Sequence, residues 1–234
     1  SGSADDDVQW DTNSGRIKLY ASSKSPNNQD YNFYIYVSGD GGTPVKSGNW
    51  DFTLSGTQIS SGRFDAWTQS WKVEFTTNVD YSMLVGIPGT ARKAITVASY
   101  CTKKEWTAED GIKYWYDPAP TLWDISPFSS PGPTRDGRQK PEITAPGQGI
   151  VSALSKDSEP RTTRIIEDGV HFLTQGTSMA APHVTGTVAL LFQKDPTLTP
   201  EEIKSILKNS AWVDNYTGEV WNNSWGWGKL DIHS

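Results

Sequence analysis

The sequence predicts an α/β domain over residues 83–234, preceded by an antiparallel β-sandwich or jelly-roll-like segment over residues 1–82. Three observations carry this. Short alternating segments separated by Gly/Asn/Asp/Ser turns fill residues 8 to about 82, with no helical period. Continuous apolar runs begin near Tyr81 and suit strands covered on both faces. Two helical patterns then close the chain.

The elements follow in order. SGS reads as a cloning remnant and ADDD as a solvated tail rather than a calcium loop, so the chain is expected to begin inside a larger protein. RIKLYAS alternates in sidedness, YNFYIYVSG is aromatic and β-branched, and WDFTLSG, RFDAWTQSW and WKVEFTT continue the series. Trp10, Trp50, Trp67, Trp71 and the nearby tyrosines are expected to build the sandwich core, although exposed aromatics would also suit a sugar-binding β-domain. MLVGIP, AITVAS, GIVSAL and GVHFLTQG read as strands of a parallel sheet. FSSPGPTRDGRQKPEITAPG is a structured loop leading into a short strand. A helix from Ser178 to about Lys194 is apolar nearly all round and therefore expected to be buried; Asp195-Pro196 ends it. Thr199-Pro200-Glu201-Glu202 is a capping box with proline at the first helical position. It opens a surface helix with Ile203, Ile206 and Leu207 as its apolar stripe.

Composition narrows the function. A net charge of −6 argues against nucleic acid and anionic membrane surfaces as partners. No apolar run reaches the length of a bilayer span. Cys101 is alone, so an internal disulfide is impossible, and it reads as core filling.

GTSMAAPHVTG, residues 176–186, carries the chemistry. Ser178 at a helix N-terminus would sit among backbone N–H groups without intrahelical partners, at the positive end of the dipole. Such groups stabilise an oxyanion. Gly176 and Thr177 would form a tight turn, Met179 and Ala180 the helix start, and the small Ala180 and Ala181 would admit a substrate carbonyl. Pro182 near the first turn would cost little. The same features suit a plain serine N-cap equally well. GTSMA also fits G-x-S-x-A, near the nucleophile elbow of α/β-hydrolases, with Asp214 or Asp231 and His233 downstream. The strands are too few for that fold, and His233 is the penultimate residue.

GTSMAAPHVTG resembles the serine motif of subtilisin-like serine proteases, the subtilases. SSPGPTRDGRQKPEITAPG resembles the stretch before the serine strand, with Pro131 where arginine is common, and VGIPGTARKAITVASY the strand preceding it. PTLTPEEIKSILKNSA and WGWGKLD resemble the closing helix and tail, so the likeness covers residues 83–234 almost without a gap. It implies the C-terminal half of a parallel-sheet α/β catalytic domain with Ser178 as nucleophile. It also implies acyl transfer on peptide or protein substrates, no cofactor for the chemistry, and structural calcium in some members. It further implies an exported protein, secreted or held in the cell envelope or periplasm.

Subtilases also need an aspartate in D-[ST]-G, a histidine in H-G-T-H and an oxyanion asparagine in A-G-N. None of these motifs occurs in the sequence. His171 and His183 read as structural, and Asn49 and Asn78 lie in the wrong settings. The expected partner is therefore the N-terminal half of the protease, and the isolated chain is expected to be inactive, with an exposed sheet edge. The β-rich segment falls where some bacterial subtilases carry a jelly-roll-like insertion. The competing reading is a catalytically dead subtilase-derived binding or regulatory module.

Overall fold

The computed structural model describes residues 8–21, 24, 29–39, 44–56, 62–70 and 72–233. They divide into two units, Ser1–Phe64 and Asp65–Ser234. The tail 1–7 and Trp71 lie outside the described residues.

In the first unit the two-residue period of the sequence becomes an antiparallel sheet of β1 (Val8–Thr12), β2 (Gly15–Ala21) and β3 (Phe33–Ser38), in the order β1-β2-β3. Asn13 and Ser14 turn the chain between β1 and β2, with the Thr12 hydroxyl donating to Gly15 O at 2.6 Å. The register Trp10↔Ile17 and Leu19↔Ile35 collects Val8, Trp10, Ile17, Leu19, Phe33, Ile35 and Val37 on one face. Gln9, Asp11, Arg16, Lys18, Tyr20, Tyr34 and Tyr36 share the other. Trp10 is 47% exposed and Trp50 half-buried, so these tryptophans do not form the expected sandwich core. No second sheet packs on either face among the described residues. WDFTLSG, RFDAWTQSW, WKVEFTT and MLVGIP form no strand among the described residues.

In the second unit, residues 65–84 join the α/β part: Arg135 pairs with Asp65 at 2.6 Å, and the Trp67 indole N–H donates to Met83 O at 3.0 Å. Its sheet contains β4 (Val97–Cys101), β7 (Ile143–Ala153) and β8 (His171–Gln175), in the order β4-β7-β8. β4 and β7 are parallel, but β8 runs antiparallel to the second half of β7, so the sheet is mixed rather than parallel throughout. At 11 residues β7 is also longer than the short strand expected, because its two halves pair with different neighbours. A separate hairpin, β5 (Glu105–Thr107) and β6 (Lys113–Trp115), packs Trp106 and Tyr116 against Leu173 in a small second core.

The free edge of β4 does not stay open as expected. Ser126 N–H donates to Ser99 O at 2.8 Å, Cys101 N–H to Asp124 O at 2.9 Å and Trp123 N–H to Cys101 O at 2.8 Å. Residues 123–126 thus occupy the backbone groups that a further strand would use.

α1 (Thr177–Lys194) and α2 (Pro200–Ser210) complete the fold. Ile143, Ala145, Ala180, Val184, Ile203 and Leu207 form the main core between the sheet and both helices. Each large aliphatic side chain buried there contributes roughly 1.5–3 kcal/mol. α2 follows its sequence signals: Thr199 and Glu202 make the reciprocal capping box, and Ile203 and Leu207 face inward. α1 does not follow its signals fully. Ala180 and Val184 are buried, whereas Leu190 is 62% and Phe192 42% exposed, because only one side of the helix has sheet to pack on.

Candidate active site

The end of β8, the turn at Gly176 and the start of α1 place Ser178. Gly176, not Ser178, is the N-cap; Ser178 is the second helical residue, and its side chain caps nothing. Ser178 is exposed, and its hydroxyl makes no hydrogen bond among the described residues. Gly176 holds φ 148°, a conformation side chains disfavour. Its N–H donates to Gly147 O at 2.8 Å, fixing the turn to β7. Gly147 must itself be small, because a Cβ there would lie 2.3 Å from Ser99 Oγ and 2.9 Å from Gly176 O.

The N–H groups of Thr177 and Ser178 have no acceptor within the helix, and they stand at the positive end of an 18-residue dipole. Ala180 is fully buried beneath this turn, and Met179 packs its sulfur 4.0 Å from the Thr174 hydroxyl. Pro182 lies inside the helix rather than in its first turn. The N–H it lacks is therefore the one that would have bonded Ser178 O, four residues earlier. The arrangement offers an unencumbered hydroxyl beside free backbone donors, suited to attack on a carbonyl and to holding the resulting oxyanion.

The described histidines do not reach this hydroxyl. His171 starts β8, roughly 16 Å of extended strand from Gly176, and its Nδ1 pairs with Asp168 Oδ2 at 2.6 Å. The Val170 N–H and then His171 hold the Asp168 carboxyl below its usual range. His183 Nδ1 donates back to Met179 O at 2.9 Å, on its own helix. His233 lies in the chain's end, its N–H bonded to Asp231 Oδ1 at 2.8 Å. Asp214 is engaged elsewhere, on Lys229 Nζ at 2.7 Å, which removes it as an orienting acid for a nucleophile elbow. Cys101 is fully buried, and burial pushes its thiol up, as core filling requires.

Two neighbours of the serine turn had no one-dimensional signal. Gln148 Nε2 donates to Gln175 Oε1 at 3.1 Å across the β7–β8 pair, and the Gly147 carbonyl anchors Gly176. Both arise from pairing between segments distant in sequence.

The model of the subtilase family matches residues 21–228. The serine protease AprX of Bacillus subtilis is 34% identical over 139 residues, covering 57% of this chain and 28% of AprX. Pyrolysin of Pyrococcus furiosus is 35% identical over 185 residues, covering 71% of this chain and 12% of pyrolysin. The chain therefore spans well under half the length of either relative. Among solved structures, the CspB protease of Clostridium perfringens superposes with a TM-score of 0.56 at 23% identity, over 97% of this chain and 43% of that one. At that identity the likeness is one of fold.

Proposed function

This chain belongs to the subtilase family, and on that premise we propose that it is the serine-bearing part of an endopeptidase that hydrolyses peptide bonds through an acyl-enzyme. The observation that carries this reading is the exposed, unbonded Ser178 hydroxyl at the start of α1, beside free backbone N–H groups. Ser178 Oγ attacks the peptide carbonyl carbon. Its proton passes to a histidine base and then to the leaving amine. The Ser178 backbone N–H donates to the oxyanion, and water later releases the acyl group. The reaction runs on side chains and backbone donors without a cofactor; any calcium would be structural.

The base, its orienting aspartate and a side-chain oxyanion donor come, in this reading, from the N-terminal half of the protease. Exposed apolar side chains on α1 support such a partner: Leu190 and Phe192 are open on the two flanks of its core-facing stripe. The segment ahead of the catalytic part, with its three-stranded β1–β3 sheet, acts as an insertion into the protease. The parent is an exported protein, in the cell envelope or beyond it, acting on peptides or proteins. No helix among the described residues is long and apolar enough to cross a membrane.

A fluorophosphonate probe with mass-spectrometric mapping tests this. The chain alone should label slowly, by several orders of magnitude relative to the chain supplied with its N-terminal half. The adduct should fall on Ser178 and vanish in Ser178→Ala. Rapid labelling of the chain alone would overturn the need for a partner. No labelling of a folded complex would overturn Ser178 as nucleophile.

A further inference from the structure

We propose that the tyrosine face of the β1–β3 sheet binds an acidic polysaccharide. The two faces of this sheet differ in chemistry. Val8, Trp10, Ile17, Leu19, Phe33, Ile35 and Val37 make one face apolar, and it too is open, with Trp10 and Ile35 each 47% exposed. On the opposite, polar face Thr, Lys and Glu would be ordinary. Instead it carries Tyr20, Tyr34 and Tyr36, the last two 48% and 51% exposed. With Lys18 and Ser38 they line an open hollow of about 400 Å³. Tyr20 and Tyr36 meet edge to face with ring centroids 5.3 Å apart, which leaves ring surface turned outward.

The hollow combines what a sugar needs: aromatic faces for the apolar side of a pyranose ring, and phenol and serine hydroxyls for its own hydroxyls. Charge selects the kind of sugar. Arg16 is neutralised by Asp11 at 2.7 Å, whereas Lys18 has no ion-pair partner among the described residues. One uncompensated ammonium on the wall of the hollow, opposite Tyr36 and next to Tyr20 along β2, calls for a carboxylate on the ligand. The site is independent of the protease chemistry, and it would hold the protein on a polymer by repeated weak contacts.

Affinity electrophoresis of the full chain through gels containing polygalacturonate, with hydroxyethylcellulose as the neutral polymer, tests the assignment. Retardation should occur in polygalacturonate only. Tyr36→Ala should abolish it, and Lys18→Gln, a substitution on an open face, should weaken it about tenfold. Absence of retardation in both gels overturns the proposal, as does equal retardation in both. Retardation unchanged in Lys18→Gln and Tyr36→Ala places binding elsewhere and overturns it too.

Discussion

Lys229 is fully buried, its ammonium 2.7 Å from Asp214 Oδ2 and 5.0–5.3 Å from the ring centroids of Tyr100, Trp212, Tyr216 and Trp225. Burial pushes the Asp214 carboxyl up, but Lys229 and the N–H groups of Thr217 and Tyr216 outweigh it and leave the carboxyl below its usual range. Removing one partner of such a pair strands the other, at a cost of about 3–5 kcal/mol. Lys229→Met should therefore lower urea stability by that order, and adding Asp214→Asn should recover part of the loss. If the double variant is no more stable than the single, the pair is not coupled. WGWGKLD gives no hint of this cage, because its rings come from three separate stretches of chain. Gly147 poses the same problem at smaller scale. Gly147→Ala would press a methyl group between Ser99 and Gly176, so it should cost about 2 kcal/mol or more in denaturant titration. The change should also slow Ser178 labelling in the complemented enzyme.

At the scale of elements, sequence signals succeed where they are local. The Thr199 capping box reads directly from four residues and closes as expected, with Glu202 N–H donating to Thr199 Oγ1 at 3.3 Å and Thr199 N–H to Glu202 Oε2 at 2.8 Å. Thr199→Ala should cost about 1 kcal/mol by thermal or chemical unfolding. The loop from Thr134 to Arg138 holds Asp136 by equally local hydrogen bonds. Arg138 and then the Thr134 hydroxyl hold the Asp136 carboxyl down, from 3.8 to about 2. A depressed carboxyl stabilises the fold above the unfolded value and loses that contribution as pH falls through the folded one. The stability difference between the native chain and Asp136→Asn should be full above about pH 5 and gone near pH 1. A difference that persists at about pH 1 would assign the effect to packing instead. Elements made by distant pairing read poorly. GVHFLTQG has the texture of a parallel strand, yet β8 is antiparallel because it folds back along β7.

For the whole molecule, the asymmetry of α1 has a measurable consequence. A helix with Leu190 and Phe192 exposed on opposite flanks of its core-facing stripe should self-associate through these apolar side chains. Leu190→Lys should reduce concentration-dependent growth in light scattering without changing stability by more than about 0.5 kcal/mol. Unchanged scattering would locate the contact elsewhere, for instance on the apolar face of the first unit. The all-round apolar pattern of residues 178–194 was legible, but the side that stays open depends on which strands are present to cover it.

Sequence by itself determined the family, through a run of motifs along residues 83–234, and the two helices, each of which rests on neighbouring residues. GTSMA fixes Ser178 at a helix start whatever surrounds it, and Thr199 to Glu202 cap α2 within a single turn. Tertiary structure alone decided the rest: the mixed sheet, the closed edge of β4, the cage around Lys229 and the true cap at Gly176. All of these depend on backbone and charge partners supplied by remote segments, and hydrogen-bond pairing across a sheet leaves little trace in the order of residues along one strand.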